Sequence, residues 1–172
     1  MSSAPHRHHA LFPGTFDPVT LGHLDLIRRA AALFERVTVA VAQHPTKREL
    51  LPHERRLELL REVTADLPNC AVERLSGLVV DGARALGCDV IVRGARSATD
   101  FDYEAQLART NAVLSPGLET VILASSPRHV HVSSTLARQV AILGGPLDEL
   151  VPTPVARALR ESASTRAPES PS

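Results

Sequence analysis

The loop after the first apolar run of the sequence carries residues suited to binding an anion. It reads PGTFDPVTLGH and contains Gly14, Thr15, Gly22 and His23. Glycine lets the backbone approach a bound group closely, and Thr15 adds a hydroxyl to its N–H. Gly22 and His23 fall at the predicted start of a helix, where free N–H groups and the helix dipole favour negative charge. The alternative is a plain turn with Thr20 as N-cap and His23 on the surface.

Basic and hydroxyl-bearing residues follow three further apolar runs. Lys47 and Arg48 lie in QHPTKRELLP, and Arg93 and Arg96 lie in RGARSATDFDYE. Arginine binds phosphate in a bidentate manner, so the second pair is a candidate anion site, whereas Lys47 and Arg48 alone are typical of a solvated surface. A third segment, SSPRHVHVSSTLARQ, opens a predicted helix with hydroxyl residues that either bind phosphate or only cap the helix.

The elements that must position these residues alternate between strands and helices. Five apolar runs rich in Val and Ile are typical of strands covered on both faces, and they span residues 9–12, 37–41, 70–75, 89–92 and 119–124. Helical spacing of apolar residues predicts helices at 22–36, 52–67, 78–86, 98–114 and 134–143.

This alternation predicts a single α/β domain. We expect a Rossmann-like, doubly wound, five-stranded parallel sheet with helices on both faces and right-handed crossovers. Such sheets bind ligands beyond the carboxyl ends of their strands. With the first and fourth strands adjacent, Thr15 and His23 face Arg93 and Arg96 across one pocket for several phosphates. The same pattern predicts few carboxylate bases in that pocket.

Composition limits the classes of partner. Lys and Arg total 19, Asp and Glu total 19, and aromatic residues make up 3% of the chain. A general nucleic-acid binder carries a basic surplus or stacking aromatics, so we expect no nucleic-acid partner. The longest apolar runs fall short of the roughly 18 residues of a membrane span, and no signal-peptide core follows the polar start. We therefore expect a cytoplasmic protein without a membrane partner.

Cysteine and histidine content does not predict a metal site held by the protein. Cys70 and Cys88 are too few for a disulfide framework and lack the partner spacing of a zinc site, so we expect reduced thiols. The HRHH run lies at or before the amino end of the first strand, away from the pocket. The predicted organisation is a flexible segment at 1–8, one domain at 9–163 and a disordered tail at 164–172.

Together these motifs resemble the bacterial phosphopantetheine adenylyltransferase family, within the nucleotidyltransferases marked by an [HT]-x-G-H motif. Here that motif is TLGH, residues 20–23. Alone it is shared with other adenylyl- and cytidylyltransferases. The combination of PGTFDPVTLGH, Lys47, VRGARSATDFDYEAQLARTN and VSST, in this order and spacing, is far more specific. The resemblance extends from Ala10 to Leu159, so it identifies residues 9–163 as a nucleotidyltransferase domain.

The resemblance implies a role for each matching residue. His23 would contact the α-phosphate of ATP and stabilise the transition state, with Lys47 and Arg96 as further catalytic residues. The residues implied for 4'-phosphopantetheine are Thr15, Lys47, Val79 and Arg93. Those implied for ATP are Thr15, Phe16, His23, Gly94, Ala95, Arg96, Glu104, His129, Val130, His131, Val132, Ser133, Ser134 and Thr135.

The resemblance also implies a reaction and an assembly. The products would be dephospho-coenzyme A and pyrophosphate, Mg²⁺ would be bound mainly through substrate phosphates, and the protein would form a homohexamer. The residues agree with this chemistry, because a phosphomonoester loses its second proton near pH ~6 and needs no general base. Positioning and cations are then sufficient.

The sequence departs from the family pattern at two places, neither of which involves Thr15, His23, Lys47, Arg93 or Arg96. His129 and His131 stand where the family commonly has an aromatic-x-Phe pair, so contacts with the nucleotide differ, and Thr135 replaces a serine. The alternative reactions and functions are adenylyl transfer to another phosphate-bearing acceptor, such as nicotinamide or nicotinate mononucleotide, and nucleotide binding without turnover.

Overall fold

The computed structural model describes residues 8–43 and 49–166, with side chains described through residue 162. Along the chain the elements are β1 (His9–Gly14), α1 (Leu21–Leu33), β2 (Arg36–Ala42), α2 (His53–Val63), β3 (Cys70–Leu75), α3 (Val79–Ala85), β4 (Val90–Ala95), α4 (Ala98–Leu114), β5 (Glu119–Ala124), α5 (Ser134–Ile142) and α6 (Thr153–Arg166). The strands form one parallel sheet in the order β3-β2-β1-β4-β5. The predicted fold is confirmed, including the pairing of the first strand with the fourth.

Alternating strand residues explain why both faces of the sheet are covered. Ala10 and Phe12 of β1 pack in one core cluster with α1, α2, α5 and α6, whereas Leu11 packs in a second cluster with α3. Successive side chains of a strand point to opposite faces, so a continuous apolar run needs a cover on each side. The sheet therefore has helices on both faces, as the sequence predicts.

Three strands are longer than the sequence indicates, and β2 runs over Arg36–Ala42 instead of 37–41. β1 runs to Gly14, and β4 runs to Ala95 because its pairing with β5 continues to the partners Ala95 and Ala124. Arg93 and Gly94 therefore lie inside β4 rather than beyond it, which corrects the expectation that this arginine follows the strand. The backbone of Arg93 pairs with Ile122 of β5, so the sheet fixes the point from which its side chain extends.

Helix α6 has no counterpart among the predicted elements. It begins at Thr153, and its buried residues include Val155 and Leu159, which pack in the same cluster as α1 and α2. It continues to Arg166, so its last residues occupy the start of the segment for which the sequence predicts a disordered tail. Residues 167–172 of that tail, and 1–7 of the predicted flexible amino segment, lie outside the described residues.

None of the helices in the described part of the chain is both long enough and apolar enough to cross a membrane.

Candidate active site

A cavity of about 510 Å³ opens at the carboxyl ends of the strands. Residues from β1 to β4 contribute to its wall, Ser125 directly after β5 completes it, and the first turns of α1 and α5 face it. The cavity lies where parallel sheets of this order bind ligands.

Most of the residues proposed from the sequence lie on this one cavity. Those that line it are Thr15, Phe16, His23, Val79, Arg93, Gly94, Arg96, Glu104, His129, Val132, Ser133, Ser134 and Thr135. Three others do not: Ala95 is buried in the sheet, and Val130 and His131 are exposed. Lys47 lies outside the described residues.

The loop between β1 and α1 is shaped around the ring of Phe16. This residue has a φ of 47°, is buried, and stacks on Phe12 with ring centroids 6.1 Å apart. Its ring folds back over the end of β1, where a Cβ on Gly14 would lie only 2.9 Å from Phe16 Cζ. A side chain at position 14 would therefore displace the buried ring of Phe16.

His23 is held by the cap of the helix that it begins. The backbone N–H of Thr20 donates to His23 Nδ1 at 3.1 Å, and the N–H of His23 donates to Thr20 Oγ1 at 3.3 Å, so the two residues form a capping box. Because an N–H donates to Nδ1, that nitrogen carries no proton, and the proton of the neutral ring is on Nε2. His23 thus presents a hydrogen-bond donor through Nε2.

The surroundings of His23 keep it neutral. Burial lowers the pKa of its imidazole to about 4, and the nearby charges of Arg96 and Arg93 act in the same direction. The edge of the Phe16 ring lies against the imidazole, with centroids 5.2 Å apart. At neutral pH the positive charge of the cavity therefore comes from the arginines and helix N-termini, and not from this histidine.

Arg93 is fixed in place by three contacts. Its guanidinium donates to both carboxylate oxygens of Glu104, at 2.7 and 2.8 Å, and to the carbonyl of Pro13 at 2.8 Å. Glu104 is the buried residue of α4, so the ion pair also ties that helix to the sheet. Such a bidentate pair fixes the orientation of the guanidinium and aligns Arg93 for recognition of an anion.

Arg96 is held more loosely. Its Nε donates to Asp100 at 3.2 Å and its Nη1 donates to the carbonyl of Val132 at 3.3 Å, while its side chain is 42% exposed. Long, solvated contacts of this kind are exchanged for a stronger anion at little cost. Arg96 is therefore the more available cation of the two.

The cavity contains more carboxylates than the sequence indicates. Asp100 and Glu104 both line it, which corrects the expectation that the pocket is short of acidic groups. Each is ion-paired to an arginine, Arg96 and Arg93 respectively, because α4 begins directly after β4 and turns its first residues toward the strand. Their negative charge is thus used to position cations.

A second helix begins at the same cavity. Ser133 caps α5 by accepting from the N–H of Leu136 at 3.1 Å, and the hydroxyl of Ser134 donates to the carbonyl of Pro18 at 2.8 Å. The second bond ties α5 to the loop after β1. The N-termini of α1 and α5 therefore both present N–H groups and partial positive charge to the cavity.

Two residues that sequence reasoning did not single out organise this end of the sheet. The carboxylate of Asp17 accepts from the N–H groups of Leu50 and Leu51 at 2.8 and 2.9 Å. Arg56 of α2 is buried and donates to the carbonyl of Thr15 at 2.6 Å. The position of Asp17 inside the PGTFDPVTLGH loop was an available signal, whereas a lone arginine in a helix full of charges gives none.

The histidines and cysteines outside the cavity have structural surroundings. His9 donates through Nδ1 to the carbonyl of Gly87 at 3.2 Å, and its Nε2 lies 2.8 Å from Thr38 Oγ1. Cys70 and Cys88 are free thiols. Among residues 8–43 and 49–162, no group of three or more His, Cys, Asp and Glu side chains is arranged to hold a metal ion.

The sheet, the paired helix N-termini and the two arginines form a site suited to a substrate that carries several phosphates. A family model described as cytidylyltransferase-like matches residues 11–140. This match covers the cavity from the end of β1 to the first turns of α5.

Comparison with curated proteins narrows the class. The phosphopantetheine adenylyltransferases of two Synechococcus strains are each 53% identical to this chain, covering 88% of it and 96% of the relative. The enzyme of that name from Caldanaerobacter subterraneus subsp. tengcongensis is 45% identical over 152 residues, or 88% of this chain and 95% of the relative. The chain belongs to the phosphopantetheine adenylyltransferase family, which confirms the resemblance found in its motifs.

Solved structures with low sequence identity share the fold. A bifunctional NMN adenylyltransferase/ADP ribose pyrophosphatase from Francisella tularensis has a TM-score of 0.69 at 16% identity, over 93% of this chain and 50% of that one. A lipopolysaccharide core biosynthesis protein from Thermoplasma volcanium has a TM-score of 0.52 at 23% identity, over 69% of this chain and 96% of that one. At these identities the likeness describes the architecture alone.

Proposed function

We propose that the chain transfers the adenylyl group of ATP to 4'-phosphopantetheine, giving dephospho-coenzyme A and pyrophosphate. The observation that carries the proposal is the cavity on which Thr15, His23, Arg93 and Arg96 meet two helix N-termini. Family membership at up to 53% identity supports the choice of acceptor.

In the proposed reaction a phosphate oxygen of the acceptor attacks the α-phosphorus of ATP. The bond from that phosphorus to the bridging oxygen breaks, and pyrophosphate leaves with the bonding electrons. Since the attacking phosphate is already ionised at neutral pH, no side chain needs to remove a proton. The chain instead aligns two polyanions and stabilises the charge that develops on the α-phosphoryl group.

The neutral imidazole of His23 suits the second task. Its Nε2–H donates a hydrogen bond without adding a positive charge that would strengthen ground-state binding. A donor fixed by its cap requires little reorganisation as charge develops, which is the basis of transition-state stabilisation by pre-arranged groups. Arg96 and the N-termini of α1 and α5 supply the electrostatic attraction for the phosphates.

The two substrates are proposed to occupy different sides of the cavity. Apolar residues line the cavity on the side of β2 and β3, namely Ala42, Leu75 and the nearby Val79 of α3. We assign this side to the pantetheine arm. The starts of α1 and α5, together with Ser125 after β5, are assigned to ATP.

For Mg²⁺, the described residues form no protein cage, and the two carboxylates on the cavity are engaged with arginines. We therefore propose that Mg²⁺ is held mainly by the substrate phosphates and water, a mode that suits its reluctance to lose water. When bound there it would reduce the negative charge of the triphosphate.

For assembly and location, we propose a homohexamer in the cytoplasm. Helix α4 leaves Phe101, Val113 and Leu114 at least half exposed, which supports a partner subunit on that helix. Free thiols at both cysteines agree with a reducing compartment. Light scattering after size exclusion should give six times the chain mass of 18.5 kDa.

A comparison of acceptors tests the reaction. The protein is incubated with ATP, Mg²⁺ and either 4'-phosphopantetheine or a nicotinamide or nicotinate mononucleotide, and pyrophosphate release is measured. We expect turnover with 4'-phosphopantetheine and at least about 100-fold lower kcat/KM with the mononucleotides. Preference for a mononucleotide would assign the other acceptor, and ATP binding without product would assign a non-catalytic subunit.

A further inference from the structure

Arg56 is the largest side chain that is fully buried in the described part of the protein, with 1% of its surface exposed. It belongs to α2 and does not line the cavity. An arginine stays charged at all accessible pH values, so its burial is unfavourable unless its donors are satisfied. Its Nε has no hydrogen-bond partner among the described residues, so the contacts of its two terminal nitrogens are the ones that compensate for its burial.

The guanidinium of Arg56 joins two separate segments. Its Nη1 donates to the carbonyls of Thr15, at 2.6 Å, and of Ala42, at 3.3 Å. Its Nη2 donates to the carboxylate of Glu49 in a close ion pair. Thr15 belongs to the loop after β1, while Ala42 ends β2 and Glu49 comes just before α2.

Both segments contribute to the half of the cavity assigned to the acceptor. Thr15 and Ala42 line it directly, and Ala42 lies on the side of the apolar residues Leu75 and Val79. In the sequence, Glu49 lies two residues after Lys47. The buried guanidinium thus fixes the backbone from which Thr15 is presented, together with the end of β2.

Asp17 ties the same two segments together at a second point. Its carboxylate accepts from the N–H groups of Leu50 and Leu51, which directly follow Glu49. The carboxylate of Asp17 and the guanidinium of Arg56 each connect the loop after β1 with the segment before α2. Two such ties restrict the relative movement of these segments more than either one alone.

We propose that Arg56 is a positioning residue that sets the geometry of the acceptor end of the cavity. The inference rests on the proposed function, because it assumes that the side of the cavity lined by Thr15 and Ala42 receives the phosphorylated acceptor. Arg56 acts through the Thr15 carbonyl and the end of β2 and does not touch the substrate. Displacements of about 1 Å at such a distance from the reacting atoms are known to cost up to about 100-fold in rate.

The test is Arg56→Lys, which keeps the charge and loses the planar fork that reaches two carbonyls and a carboxylate together. We expect the KM for 4'-phosphopantetheine to rise about tenfold, while the KM for ATP changes by less than about threefold. Initial rates of pyrophosphate release, with each substrate varied at saturation of the other, give both constants. Glu49→Gln, which keeps the guanidinium and removes the ion pair, should raise the same KM by about two- to fivefold.

The matched control is Asn69→Ala at the opposite edge of the sheet. The side-chain amide of Asn69 also holds two carbonyls, those of Ala31 at 2.8 Å and Phe34 at 3.1 Å, but it lies before β3 and away from the cavity. Its loss should lower Tm and leave both KM values within about twofold. If Arg56→Lys does not fold, Glu49→Gln carries the test alone.

The outcomes separate this inference from the proposed function. Wild-type turnover of 4'-phosphopantetheine with equal changes, or none, in the two KM values of the folded variants would overturn the role of Arg56 and leave the reaction intact. A wild-type protein that does not adenylate this acceptor would overturn the proposed function, and the inference with it. A rise confined to the acceptor KM supports both.

Discussion

The two edges of the sheet use buried polar groups for different purposes. At the amino edge, His9 donates to the Gly87 carbonyl and Asn69 donates to two carbonyls at the end of α1. At the carboxyl edge, Arg56, Arg93 and Asp17 also bind backbone groups, but these belong to segments that line or flank the cavity. Similar bonds therefore close loops at one edge and present donors to a ligand at the other.

The difference lies in charge. The contacts of His9 and Asn69 involve neutral side chains, whereas the carboxyl edge contains full ion pairs with Glu104 and Glu49. Ion pairs contribute little net stability when buried, because desolvation offsets their attraction. At the amino edge the pair of His8 with Asp89 is about half exposed, whereas the pairs of Glu104 and Glu49 are largely buried. This difference in burial indicates that the pairs at the carboxyl edge orient the cavity and are not there mainly for stability.

The largest expected effect is the loss of turnover when His23, at the carboxyl edge, is replaced. Removing the Nε2 donor in His23→Ala should lower kcat by about 100- to 1,000-fold, as for other single donors to a transition state. The KM for ATP should change by less than about threefold, because a neutral donor adds little to ground-state binding. Steady-state kinetics measures kcat and the KM for ATP. His8→Ala, at the amino edge, is the control and should leave both unchanged. An unchanged kcat would remove His23 from the mechanism.

A smaller effect, on the free energy of unfolding, is expected when either of the two ion pairs of the cavity is broken. Glu104 is 7% exposed and the side chain of Arg93 is 28% exposed, so Glu104→Gln leaves a partly buried guanidinium without its counter-charge and should lower the free energy of unfolding by about 2–3 kcal/mol. Asp100→Asn acts on a pair with Arg96 that is partly solvated and should cost less than about 1 kcal/mol. Urea denaturation measures both, and equal losses would contradict the distinction between a fixed and an available arginine.

The smallest effect is the response of stability to acid. Burial lowers the pKa of His9, with a further contribution from Arg36, while the backbone of Gly87 and the charge of Asp89 partly oppose the shift. The unfolded chain, with an ordinary histidine pKa near 6.5, then binds the proton more readily, so stability falls as pH decreases below about 6.5. For one site the slope is at most about 1.4 kcal/mol per pH unit.

Substitutions at the two edges distinguish the contributions of His9 and His23 to the pH dependence of stability. His9→Gln should reduce the dependence of the urea midpoint on pH below about 6.5, with kcat unchanged. His23→Gln should reduce it further, over a range that extends down toward the pKa of about 4 of this imidazole. An equal reduction by both variants would contradict the stronger perturbation of His23.

Much of this architecture was predictable from the sequence because local patterns and the sheet agree. The bounds of β3, β5 and α4 match the expected ranges, since apolar runs and the cap at Ser97 define them without reference to other elements. The gathering of Thr15, His23, Arg93 and Arg96 follows from adjacent parallel strands.

The remaining features depend on contacts between distant residues. The buried side of α6 includes two alanines, Ala156 and Ala158, which give little periodic signal. The extension of β4 depends on its pairing with β5. The pairing of Glu104 with Arg93 and the burial of Arg56 depend on how α4 and α2 pack, which the spacing of charges along a helix does not encode.

The capping box has a consequence for how the TLGH motif is interpreted in other chains. The ring nitrogen of His23 that faces the backbone closes the first turn of α1, while the other nitrogen serves the chemistry. A descendant that had lost turnover would still have a folding reason to retain both Thr and His at these positions. Persistence of the motif therefore marks an intact helix start, and activity has to be judged from the cations that surround it.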